Sequence, residues 1–273
     1  MENKKTANIY ILSAAGALLL SLALRVFNFF MFFDSNSGYY TSGAALPIIS
    51  NCILGAACVF LLIFSLLKFK KKSFGLQPRA PKAQYAATVI ASLASVALAV
   101  SDLIKAIDTE NRIYILSFTL SLMTALYFAA VTVEIQNVFK AITGTFAVIR
   151  IAILVIACFS DFSVAVNTPD RVIYALSAAS AMLFVASELK LAVGKPRSWL
   201  YVFSAAASAV LCSASSIPSI IAFHAGILPS DNTFYGEYYL LLGVAVYSAV
   251  RLLSAIRSVC DEQDTENVSA EEQ

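Results

Sequence analysis

The apolar positions of this chain gather into eight long runs, at 9–33, 44–67, 84–107, 112–134, 146–167, 172–194, 199–224 and 236–259, each closed by charged or turn-forming residues. At about 1.5 Å per residue, a helix needs about 20 such residues to cross about 30 Å of hydrocarbon, so every run suffices for one span. Membrane strands are excluded, because they are about ten residues long and alternate lipid-facing with interior-facing side chains. The pattern predicts an all-α integral membrane protein: an eight-span helical bundle within residues 1–260 and an acidic tail at 261–273. The first run follows Lys4 and Lys5 as in a secretory signal. It continues to Phe33, however, which is too long for a signal's apolar core and reads as a retained helix.

Composition strengthens this picture. Hydrophobic residues make up 59% of the 273 and charged residues 13%, about half the charged share of a soluble chain, leaving no room for a sizeable soluble domain. The net charge of +2 conceals a segregation. With the amino terminus inside, 14 basic residues face the cytoplasm (Lys4, Lys5, Lys68, Lys70, Lys71, Lys72, Arg79, Lys82, Lys140, Arg150, Lys190, Lys195, Arg197 and Arg257). Three face outward: Lys105, Arg112 and Arg171. Cytoplasmic loops retain positive charge, so both termini are expected in the cytoplasm. The cluster Lys68 to Lys72 is placed to meet anionic lipid headgroups. The tail carries six acids and no base and is expected to be disordered.

One stretch recurs. Ser101, Asp102, Ala106, Thr109 and Arg112 return 59 positions later as Ser160, Asp161, Ala165, Thr168 and Arg171, and Tyr114, Leu116 and Ser117 return after a one-residue slip as Tyr174, Leu176 and Ser177. Asp, Thr and Arg are too sparse here for chance to supply this readily, so the third-to-fourth and fifth-to-sixth spans read as parallel helical-hairpin repeats, related by an axis along the membrane normal.

Ionisable groups inside spans are costly and mark candidate sites. Counting along the helices places Arg25, Asp102 and Asp161 at one outer depth, roughly 22–27 Å from the cytoplasmic end. They are the candidate ligand- or ion-binding set, with Arg25 shared between the two acids. Deeper, Glu188 and Arg251 fall at similar depth and form a candidate inner ion pair. Asp34, Tyr39, Tyr40, Tyr235 and Glu237 suggest an aromatic, acidic outer vestibule. Ser204, Ser208, Cys212 and Ser216 in the seventh span, and Ala87, Ala91, Ser95 and Ala99 in the third, form small-residue stripes suited to close helix contact. Pro47 and Pro218 are expected to kink their spans.

The five cysteines lack paired spacing and His224 is the sole histidine, so neither a metal site nor a cofactor is expected. Motifs for zinc hydrolysis, a serine nucleophile or a phosphate loop are absent from the sequence, which argues against an enzyme; nor is nucleic acid an expected partner. The expectation is a small-solute or ion-coupled carrier or binding protein in the cell membrane, a bacterial plasma membrane, with an outer-half polar site. A non-transporting sensor, immunity or scaffold protein acting through a partner is the alternative.

Overall fold

The structure, a computed structural model, describes residues 2–34, 39–41, 43–70, 82–133, 136–160, 168–193, 197–228 and 235–271. Eight helices carry the described chain: α1 (Glu2–Phe32), α2 (Leu46–Phe69), α3 (Lys82–Thr109), α4 (Arg112–Thr132), α5 (Asn137–Ser160), α6 (Pro169–Val193), α7 (Ser198–His224) and α8 (Tyr235–Glu271). All eight are long and apolar enough to cross a membrane. A two-residue antiparallel ribbon, β1 (Phe33–Asp34) with β2 (Tyr39–Tyr40), joins α1 to α2 and marks one end of the bundle, the ribbon end.

Polar residues persist in these helices because their hydroxyls are satisfied locally. Ser95, Thr124, Ser216 and Ser219 each donate to the carbonyl four residues back, so these four hydroxyls are paired within their own helices. The turn between α3 and α4 is tight: Glu110 takes a positive φ of 51°, and the Asn111 side chain accepts from Ile113 N to cap α4.

Helices α3, α4, α5, α6, α7 and α8 each pack against the next, and α8 returns to α3, closing a six-helix ring; α6 also touches α8 directly. The α1–α2 hairpin lies outside this ring against α7. Helix α7 therefore packs on α1, α2, α6 and α8, and its small residues permit it: Ser204, Ser208, Cys212 and Ser216 are all fully buried. Cys212 Sγ donates to Ser177 O on α6, and Ser177 Oγ donates to Leu211 O. The α3 stripe faces α8, where a Cβ on Gly243 would stand 3.0 Å from Ala91 Cα. Gly243→Leu is accordingly expected to wedge α3 from α8 and destabilise the protein by about 1–3 kcal/mol, measured as a lowered melting temperature; an unchanged Tm would contradict this close contact.

Several elements depart from the sequence expectation. Helix α5 begins at Asn137, nine residues before the expected start at 146, because Lys140 lies in an opening turn rather than in a loop. Arg150, counted above among the cytoplasmic loop charges, consequently sits in mid-helix with 1% exposure. Pro47 lies in the first turn of α2, where its missing N–H disturbs nothing. The acidic tail continues α8 as helix to Glu271; no Gly or Pro interrupts residues 258–271.

Candidate functional site

Toward the ribbon end, a polar network bridges the ring. Arg150 projects from α5; its Nε donates to Ser121 Oγ on α4 at 2.8 Å, and its Nη2 lies 3.3 Å from Asp102 Oδ2 on α3. Nη2 is also 3.7 Å from Glu237 Oε1 on α8. A side chain that reaches α3, α4 and α8 from α5 has to cross the ring's interior. Asp102 Oδ2 further accepts from Ser117 Oγ at 2.8 Å and Ser121 Oγ at 2.9 Å. Tyr174 of α6 donates to Glu237 Oε2 and stacks edge-on against Tyr238, centroids 5.7 Å apart. Lys105, one turn beyond Asp102, adds a second positive charge acting on Glu237. The side chains of Arg150 and Asp102 are 1% and 4% exposed, whereas Glu237 retains 14%, making it the member of the three most open to solvent.

Fourteen residues further along α6 and α8, a second layer closes the ring. Glu188 and Arg251 form a two-pronged pair, Nε to Oε1 at 2.8 Å and Nη2 to Oε2 at 3.0 Å. Tyr201 donates to Glu188 Oε1, and Tyr247 to Oε2 at 3.1 Å. Phe128 of α4 and Phe184 of α6 pack on the Tyr247 ring of α8 at 5.4 and 5.7 Å, so aromatic groups from three alternate helices of the ring meet at this level. Tyr174 with Glu237, and Glu188 with Arg251, thus tie α6 to α8 at two points about 21 Å apart.

A third cluster joins the outlying hairpin to the ring. Arg25 bonds Asp170 Oδ1 at the start of α6, and Tyr40 Oη donates to the same oxygen at 2.9 Å. Asn51 Nδ2 donates to Pro169 O at 3.0 Å. Burial, reinforced by the Asp170 carboxylate, pushes the Tyr40 hydroxyl well above the usual tyrosine range, so it remains a donor. Asn28 donates to Ser50 Oγ at 3.0 Å. Arg25 Nε, Asn28 Oδ1 and Asn51 Oδ1 are buried without hydrogen-bond partners among the described residues, so this attachment is less completely satisfied than the Glu188 layer.

The sequence-derived candidates are therefore distributed over three places. Arg25 does not join Asp102: α1 packs on α2 and α7 rather than α3, and Asp170 takes the guanidinium. Asp102 is held instead by Arg150. Asp161, Lys71 and Lys72 lie outside the described residues, as do the side chains of Tyr39 and Tyr235; Lys68 and Lys70 are exposed. Of the vestibule set, Asp34 is exposed, Tyr40 belongs to the Asp170 cluster, and Glu237 belongs to the ring interior. Repeat-matched positions have unlike surroundings: Arg112 is exposed and Arg171 buried, while Ser117 bonds Asp102 and Ser177 a carbonyl of α7. Arg150 and Asp170 were missed because each lay next to an assumed helix boundary. No group of three metal-ligating side chains occurs among the described residues.

Eight apolar, membrane-length helices, six of them closed around charged interior layers, define a multi-pass membrane protein. No family model, curated protein or solved structure matches the chain.

Proposed function

We propose that this protein is a small-solute or ion-coupled carrier, or a membrane solute-binding protein, with both termini in the cytoplasm and the ribbon end outside. The observation that carries the reading is the Arg150 guanidinium held between carboxylates of α3 and α8 within the helical ring. Charges withdrawn from water in the middle of a bundle are costly to keep and mark solute or ion paths. The Glu188–Arg251 layer, with its aromatic flanks, serves as the closed cytoplasmic gate beneath this site. Removing Arg150 from the 14 inner charges leaves 13 against 3, which still favours the orientation. The hairpins α3–α4 and α5–α6 are read as copies that diverged in their polar contacts.

In liposomes containing the purified protein, Asp102→Asn is expected to reduce uptake of the transported member of a panel of amino acids, monocarboxylates and alkylamines by about tenfold or more, equivalent to ~1.4 kcal/mol. Full activity in a folded Asp102→Asn variant would remove the residue from the site. The alternative, a non-transporting sensor or scaffold acting through a partner, is favoured by the fact that the chain itself supplies partners for Asp102, Arg150, Glu188 and Arg251. That reading expects no uptake for any member of the panel.

A further inference from the structure

The last turns of α1 and the first turns of α2 and α6 meet at the ribbon end. Tyr10 bonds Ser65 and Asn28 bonds Ser50, an antiparallel register that sets Asn51 between the levels of Arg25 and Asn28. Arg25, Asn28 and Asn51 thus lie within one helical turn of each other, about 5 Å along the bundle. Two of them also converge sideways on consecutive residues, because Arg25 reaches Asp170 and Asn51 reaches the Pro169 carbonyl.

Each of the three side chains spends one polar end and keeps another. The amide orientations are fixed by what they touch. Asn51 Nδ2 faces a carbonyl that can only accept, and Asn28 Nδ2 faces Ser50 Oγ, whose own proton goes to Pro47 O. Turning either amide over would set oxygen against oxygen with no proton between them, so the amide oxygens are the spare ends. Arg25 spends Nη2 on Asp170 and keeps Nε. Arg25 and Asn28 are 2% and 1% exposed, and all three spare atoms are buried. One donor and two acceptors are therefore withdrawn from bulk water, where leaving them unpaired is costly.

That complement selects its occupant. An ammonium group has no lone pair to offer Nε, and a carboxylate or halide has no proton to offer the amide oxygens. A water has two protons and a free lone pair, and buried waters make about three hydrogen bonds to polar groups left over by the protein. We infer that one water is built into this seam, donating to Asn28 Oδ1 and Asn51 Oδ1 and accepting from Arg25 Nε. It joins α1 to α2 where both reach α6, so the hairpin is fastened to the ring through a bound solvent molecule as well as through the Arg25–Asp170 pair.

A crystal structure of the full-length protein, grown without polyols and at a resolution that shows ordered waters, tests this. A single-atom peak is expected about 2.7–3.2 Å from all three spare atoms, and a bromide soak should leave no anomalous signal there. Asn28→Leu combined with Asn51→Leu removes both acceptors, and the peak should be lost. Density for more than one atom, a bromide signal, or no peak within hydrogen-bond reach of the three atoms overturns the inference. Survival of the peak in the folded double variant overturns it too, since other groups would then hold the water. If the double variant does not fold, the parent structure alone decides, because the distances to Arg25 Nε, Asn28 Oδ1 and Asn51 Oδ1 are read there directly.

Discussion

Replacing Glu188 by alanine is expected to destabilise the protein by about 3–5 kcal/mol, because it leaves the Arg251 guanidinium buried without its counterion. Both prongs of that pair disappear together, and the Tyr201 and Tyr247 hydroxyls lose their acceptor. Arg251→Ala should fall in the same range, since the carboxylate is then the unmatched charge. The double variant Glu188→Leu with Arg251→Leu should recover most of the loss, as an apolar pair of similar volume avoids the desolvation of both ions. Melting temperatures of the four proteins in one detergent decide the matter. If the double variant melts as low as either single one, the damage comes from lost shape rather than lost charge pairing. Tyr247→Phe is a milder control, expected at about 1 kcal/mol or less.

Arg150→Met should produce the second large effect, again about 3–5 kcal/mol, by leaving Asp102 and Glu237 without the guanidinium that joins them. The side chain works in two directions, Nε toward Ser121 and Nη2 toward the carboxylates. A lysine offers one compact charge and cannot span both, so Arg150→Lys should restore only part of the stability. Adding Asp102→Asn to Arg150→Met should raise the melting temperature above that of Arg150→Met alone, because one of the two stranded charges is removed. A folded Arg150→Met variant with parental Tm would show that the network contributes little to holding α3, α5 and α8 together.

The spans could be read from the sequence because each needs only an uninterrupted apolar run, and depth along a helix is a matter of counting. Glu188 and Arg251 illustrate this: each lies 14 residues from a residue of the upper tie, Tyr174 and Glu237. Which helices become neighbours is another matter. Lipid supplies no hydrophobic drive to bring one apolar helix to another, so adjacency depends on small-residue fit and a few polar contacts. Arg25 was assigned partners at its own depth in the expected third and fifth spans, but the small face of α7 draws α1 to the far side of the ring, where Asp170 waits. Arg150 was hidden by a different cause. Lys140 looked like a span boundary, yet a lysine in a helix's opening turns can reach headgroup water along its stem, and the true start upstream turns Arg150 into an interior residue.

The position of the α1–α2 hairpin outside the ring bears on how the chain is made. These helices precede the ring helices along the chain, yet their main neighbour, α7, is separated from them by four further helices, and the partner of Arg25 comes only with α6. The hairpin must therefore persist for a time as a free insert in lipid. It is suited to that interval: only 22% of its two apolar windows is buried in the finished protein, against 78% for α7. During it, Arg25 can snorkel to the near headgroups. Arrival of α6 and α7 then converts a freely diffusing pair of helices into a docked one, so helices made earlier are fastened only by helices made much later.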